Sequence, residues 1–297
     1  MKSSFSFLTV GKTAESTEAG ESTFKRYIGL GSSYVLAVNP DAKELEKIYG
    51  REMPVPEYYG DKDGVKWARI DFIVKTDPEV CNGVDIINRA TFFLRNEGVI
   101  NREGTRQQVI DGYGNATYGN IDDVKEKKPL LTANGNPAKI ASVYRPAYAG
   151  EADLVAFLKA YLVVPDAFIY PNGKWELGPD SDNGKFALDN IKDYFSGNVK
   201  EVKDAIALQP NNKVKLLYGV RTTDDNKQYQ DVCTRGDMIL PNFSNRVEAL
   251  EKRLAEAKAN GSWPNTEYKV CALQEYVVEA SNLDSMIEDN SSAMPWD

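Results

Sequence analysis

Two segments of alternating hydrophobicity on either side of a turn-rich linker constrain this chain most. From Val65 to Lys75 the residues Ala68, Ile70, Phe72 and Val74 recur at every second position, with Trp67, Arg69, Asp71 and Lys75 between them. From Val84 to Arg95 one face carries Val84, Ile86, Ala90, Phe92 and Leu94, and the other Arg89, Thr91, Phe93 and Arg95. A period of two is that of a half-buried strand. Asp77-Pro78 and Asn82-Gly83 are turn signals, so the segments are expected to pair as an antiparallel hairpin with one apolar and one basic, aromatic face.

The flanking pattern extends this sheet. Tyr27 to Val38 reads as a strand, followed by Asn39-Pro40-Asp41 and a short helix through Ile48 that stops near Gly50. In residues 151–162, Leu154, Phe157, Leu158, Tyr161 and Leu162 have helical spacing, Glu151 and Asp153 suit the positive end of the helix dipole, and Pro165 stops the helix. Lys213 to Thr223 and Lys227 to Leu240 form a second expected hairpin across Asp224-Asp225-Asn226. A helix from about Arg246 to Lys258 is expected to bury Val247, Leu250 and Leu254, with Asn245 and Glu248 as an N-cap pair and Asn260-Gly261 as its end. A last strand is expected from Tyr268 to Glu279. The order strand, strand, strand, helix, strand, strand predicts a mainly β fold with helices (α+β): an OB-fold-like five-stranded barrel with large insertions and a helix-strand extension.

The ends differ from this body. Residues 1–23 are rich in Ser, Thr, Gly and Glu and read as a flexible arm, residues 24–280 as the OB-fold-like domain, and residues 281–297 as a disordered acidic tail. Gly11-Lys12-Thr13 is not a phosphate loop, because the glycine required five positions before Gly11 is Ser6. The tail holds Asp284, Glu288, Asp289 and Asp297 without Lys or Arg, yet it finishes on Met294, Pro295, Trp296 and Asp297. An apolar tip on a charged string suits capture by a partner.

Composition narrows the chemistry. Histidine is absent, which removes Ser-His-Asp and Cys-His nucleophiles and His-ligated zinc. A carboxylate-only magnesium site is the remaining catalytic possibility. Cys81, Cys233 and Cys271 are too far apart for metal-ligand spacing and read as reduced thiols. No metal, cofactor or enzymatic activity is predicted. Without an 18-residue apolar run or a signal peptide, a cytoplasmic protein with no membrane partner is expected. The net charge of −8 argues against coating duplex DNA by bulk electrostatics and requires any nucleic-acid site to be a local basic groove.

Single-stranded DNA is held by a basic groove along its phosphates and by aromatic rings under its bases. Trp67, Arg69 and Lys75, with Arg89, Phe93 and Arg95, supply both kinds of group on the face opposite the expected core. Further candidates are Tyr113 and Tyr118, then Lys125, Lys127 and Lys128, then Lys139, Tyr144, Arg145 and Tyr148. On the second hairpin, Lys213, Lys215 and Arg221 share one strand face and could oppose the first. The competing reading is structural: Trp67 and Phe93 pack beneath insertions, and the arginines pair with Asp71 and Asp85.

The segments KRYIG (25–29), ARIDFIVKTDPEVCNG (68–83), VYRPAYAGEADLVAFLKAYL (143–162), KLLYGVRTTDDNKQYQDVCTR (215–235) and KANGSWPNTEYKVCALQEYVVEA (258–280) together resemble the single-stranded DNA-binding proteins of crAss-like phages that infect gut Bacteroidetes. The resemblance runs from roughly residue 24 to the end. It implies an OB-fold, a non-catalytic role in phage DNA replication or recombination, and an acidic tail that recruits partner proteins. One departure is that the tail ends in Trp296-Asp297 where bacterial tails end in Phe. The alternatives are a virion or assembly protein with the tail as docking peptide, and a carboxylate-metal nuclease.

A tethered acidic string has a high effective concentration at its own body's basic groove. Deleting residues 281–297 is therefore expected to raise affinity for single strands, most at low salt where screening is weakest. Trp296→Ala is expected to leave DNA binding unchanged and to abolish recovery of replication or recombination proteins in pull-downs from infected cells. Weaker DNA binding after tail deletion would refute this.

Overall fold

The computed structural model describes residues 25–110, 116–128, 145–162, 168–169, 176–177, 194–206 and 208–277. The expected arm, Tyr113, Lys139, Tyr144 and the acidic tail with Met294, Pro295, Trp296 and Asp297 lie outside them.

Strand β1 (Tyr27–Val38) is the expected β-branched and aromatic run, with a bulge between Val35 and Ala37 that leaves Leu36 exposed. Helix α1 (Ala42–Tyr49) starts at a capping box in which Asp41 accepts from the Glu44 N–H and Glu44 accepts from the Asp41 N–H. Gly50 closes it at φ 68°. Sequence reasoning passed over β2 (Tyr59–Lys62), which joins β3 (Val65–Thr76) through Asp63 and Gly64, both at positive φ. The Asp-Gly pair was its signal. Strand β4 (Ile87–Gly98) pairs antiparallel with β3 from Trp67↔Arg95 to Lys75↔Ile87, as expected. It begins three residues later than Val84, because the Thr76 hydroxyl donates to the Val84 carbonyl and accepts from the Ile86 N–H, holding that segment in the turn.

The chain then leaves the main sheet. Strands β5 (Arg106–Ile110) and β6 (Ala116–Asn120) form a hairpin, followed by the short helix α2 (Ile121–Lys125), and β7 (Arg145–Pro146) adds to β5. Strand β8 (Tyr148–Ala149) returns to β4 and leads into α3 (Glu151–Leu162). Strands β9 (Phe168–Ile169) and β10 (Glu176–Leu177) pair with each other, and α4 (Val199–Ile206) follows. The second hairpin is β11 (Lys213–Thr222) with β12 (Gln228–Val232), turning at Asn226, φ 57°. The remainder of the expected strand to Leu240 is a 3₁₀ turn and a short β13 (Leu240–Pro241).

Helix α5 (Val247–Ala259) buries Leu250, Leu254 and Ala257, while Val247 is exposed, contrary to expectation. Its N-cap is Arg246, without a side-chain capping bond, so Asn245 and Glu248 do not form the expected pair. The single last strand divides into β14 (Thr266–Tyr268) on β11 and β15 (Gln274–Glu275) on β1. The crossing needs Gly29: its φ is 131°, and a Cβ there would lie 2.8 Å from the Ala272 carbonyl oxygen.

Among the described residues, ten strands form one antiparallel sheet of order β12-β11-β1-β3-β4-β8, with β2, β13, β14 and β15 attached to it. The fold is mixed α+β and mostly sheet, and it is not a closed barrel. Strands β4 and β12 approach within 8 Å between Cα atoms without ladder hydrogen bonds. The edge of β4 beyond Arg95 is taken by β8, and Gly150 turns so close to Phe93 that a Cβ would lie 1.9 Å from its carbonyl oxygen. This insertion takes part of the β4 edge, beside the stretch that β12 approaches.

The core fills the inner face. Ala68, Ile70, Phe72 and Val74 are fully buried, as the alternation predicts, with Ala90, Phe92, Leu94, Val214, Leu216 and Tyr218 beside them. Helix α3 supplies Leu154, Phe157, Leu158 and Tyr161, and Phe157 lies 4.4 Å from Phe72 and 5.2 Å from Phe92 between ring centroids. Tyr161 donates to the Gln209 carbonyl and accepts from its N–H, fixing the approach to β11. Phe157→Ala is expected to cost about 3–5 kcal/mol, read as a lower urea midpoint with retained slope.

Candidate functional site

The outer face of β3 and β4 gathers the expected basic and aromatic residues in register, with Trp67 opposite Arg95, Arg69 opposite Phe93, and Asp71 opposite Thr91. Asp71 has no exposed side-chain surface. Its carboxylate accepts from Arg69 Nε at 2.8 Å and from the Thr91 hydroxyl at 2.8 Å, and it pairs with Arg89 Nε at 3.4 Å. The other N–H donors of each guanidinium fork lie outside those Nε contacts. Buried Asn39, at φ 41°, accepts from the Asp71 N–H at 2.7 Å, and its own N–H donates to the Asp71 carbonyl. The loop after β1 is thereby tied to the middle of β3.

Exposure differs sharply across this face. Phe93 is 57% exposed, and the Arg69 guanidinium carbon sits 5.5 Å from its ring centroid, within cation–π range. The Arg95 side chain is 61% exposed, with Glu97 a loose 3.9 Å away. Trp67 is half-buried and rests against Gly60 of β2, where a Cβ would come within 2.5 Å of the indole. Lys75 is cut off from this patch, because Ile73 between them is buried with Leu45 under α1, and it pairs with Asp85 at 3.1 Å. The structural reading therefore holds in part for Arg69 and Arg89, which pair with Asp71, whereas Asp85 is taken by Lys75 and not by an arginine. It does not hold for Phe93 or Arg95.

Among the described residues, the remaining candidates lie on other elements, and several are engaged there. Tyr118 is partly exposed on β6, and Lys125 and Lys127 are exposed at the end of α2, but Lys128 pairs with Asp123 and Glu126. Arg145 is engaged by the fully buried Glu151 through both terminal nitrogens, beside buried Tyr194. That pair raises the Arg145 pKa and ties β7 to α3, while the Arg145 side chain stays 43% exposed. Tyr148 packs edge-on against Phe195 at 5.1 Å.

The expected opposing face of β11 is also divided. Lys213 pairs with Asp77, whose pKa is held down chiefly by that hydrogen bond, and its ammonium lies over the Tyr34 ring. Lys215 donates to the Ser244 carbonyl. Between them and Arg221, Leu217 is buried with Leu250 and Leu254 of α5. The helix covers the middle of the strand that was to face the first hairpin. Sequence reasoning missed Tyr229 of β12, which lies under Arg221. The signal was available in the alternation of Tyr229 with buried Val232.

Among the described residues, no cluster of three or more carboxylates and thiols could hold a metal ion. Cys81 and Cys233 are buried free thiols and Cys271 is partly buried; burial pushes the Cys233 pKa up to about 12. Compared with known proteins, the chain matches no family model, no curated protein and no solved structure.

Removing one partner of a buried charge cluster leaves the others uncompensated. Asp71→Ala is expected to destabilise the fold by about 3–5 kcal/mol in urea denaturation. Arg95→Ala, at an exposed position, is expected to leave the midpoint unchanged.

Proposed function

We propose that this chain is a non-catalytic, sequence-tolerant single-stranded DNA-binding protein of phage DNA replication or recombination. The observation that carries the reading is the exposed Phe93 ring with Arg69 over it and Arg95 two residues along the same strand face. An open aromatic ring accepts an unpaired base by stacking, whereas bases in a duplex are already stacked on each other. The neighbouring guanidiniums suit the phosphates on either side, and a chain of net charge −8 concentrates attraction at such a patch instead of over the whole surface.

The strand order supports an OB-like reading. Strand β1 lies between β3 and β11, β4 follows β3, α3 comes before β11, and β12 follows β11 and nears β4 where a barrel of that kind would close. In such folds the ligand lies across the second and third strands, here β3 and β4. The tail tip, Met294, Pro295, Trp296 and Asp297, is the proposed docking peptide for replication or recombination proteins.

The test is a competition titration, followed by tryptophan fluorescence, of oligo(dT) against a duplex of equal length at two salt concentrations. Single strands are expected to win. Phe93→Ala is expected to cost about 1–3 kcal/mol of binding without a change in melting temperature, and Arg95→Gln to flatten the salt dependence. Equal affinity for both forms, or none for either, would refute the reading.

A further inference from the structure

The pairing of a guanidinium with an exposed ring occurs a second time. The Arg221 guanidinium carbon lies 5.6 Å from the Tyr229 ring centroid, and Tyr229 is 44% exposed. The sheet's alternation fixes the side on which the pair lies. Val214, Leu216 and Tyr218 of β11 and Val232 of β12 point into the same core as Phe92 and Leu94. Arg221 and Tyr229 are of opposite parity on their strands, so they stand on the outer face, as Arg69 and Phe93 do. The strands that bear the two rings, β4 and β12, are those that meet at the unpaired seam within 8 Å between Cα atoms.

Cations and carboxylates both stand beside Tyr229, with Lys227 bound to Asp225. Arg26 reaches β12 through Nε and Nη2, which donate to the Gln228 carbonyl, and both Arg26 and Lys227 lie near enough to interact with the Tyr229 phenol. The acid on the same face, Asp231, accepts a hydrogen bond from the buried Tyr268 at 3.1 Å. A third pair, Arg235 over Trp263, differs in kind: Trp263 is packed against Tyr268 in the core under α5, and Arg235 is bound to Asp237.

We infer that Tyr229, with Arg221 over it, is a second stacking platform for the same strand, so that single-stranded DNA crosses the seam between β4 and β12 from Phe93 to Tyr229. This rests on the single-strand reading and adds to it a path and a minimum length. A short oligonucleotide can occupy one ring, and only a longer one can use both.

The test measures how much affinity rises when oligo(dT) is lengthened from about 4 to about 16 nucleotides. In Tyr229→Ala that gain is expected to shrink about five- to a hundred-fold, and in Tyr229→Phe, which keeps the ring, it is expected to persist. Wild-type protein crosslinked to an oligonucleotide carrying a photoreactive thymine analogue is expected to be labelled on the Gln228–Val232 segment. The full length-dependent gain in Tyr229→Ala, with labelling confined to β3 and β4, would overturn the inference while leaving the single-strand reading in place. Wild-type protein that binds no single strand of either length would overturn both.

Discussion

One buried carboxylate, Asp71, joins Arg69, Arg89 and Thr91 on the outer face of the sheet, with Asn39 closing the backbone behind it. Taking an ion out of water costs several kcal/mol, and the cost is offset only when partners surround it. Here the partners come from β3, from β4 and from the loop after β1, so the three elements are fixed together. Because side chains alternate, a slip of one residue in β3 would turn Phe72 out of the core and Asp71 toward Phe92 and Phe157, leaving a charge in an aromatic core. The pairing of Arg69 with Phe93, and of Trp67 with Arg95, follows from that register.

The inner face has a different organiser. Helix α3 packs Phe157 onto Phe72 and Phe92 while Tyr161 holds the approach to β11, so a local helix connects the two hairpins that the sequence keeps far apart. The lead into that helix, β8 and Gly150, also occupies part of the free edge of β4. One insertion thus completes the core and takes part of the β4 edge, and Phe93 and Tyr229 stand on the two strands that meet at the unpaired seam.

Much of the fold was legible because its signals are local. The alternation in β3 and β4, the Asn39-Pro40-Asp41 lead into α1 and the helical spacing of Leu154, Phe157, Leu158 and Tyr161 each depend on a few adjacent residues. What escaped depends on partners distant in sequence. Val247 looks apolar and helical, yet it stays exposed at the start of α5; Tyr268 to Glu279 looks like one strand until Gly29 lets the chain cross from β11 to β1. For the candidate site, alternation identified the outward face but not which of its cations would be neutralised.

The sequence by itself determined which side of β3 and of β4 faces the core, since a period of two is written in the residues and burial of the apolar set drives the choice. It also determined the chemistry that could appear on the other side: arginines and aromatic rings, with no histidine. The tertiary structure alone decided which of those groups meet. Arg145 is held by Glu151 and Lys213 by Asp77 because hydrogen-bonded charge pairs form wherever folding brings opposite groups together, across 6 residues in one case and 136 in the other. Among the described residues no insertion covers Phe93 or Tyr229, and sequence carries no local signal for whether a distant segment will cover a side chain.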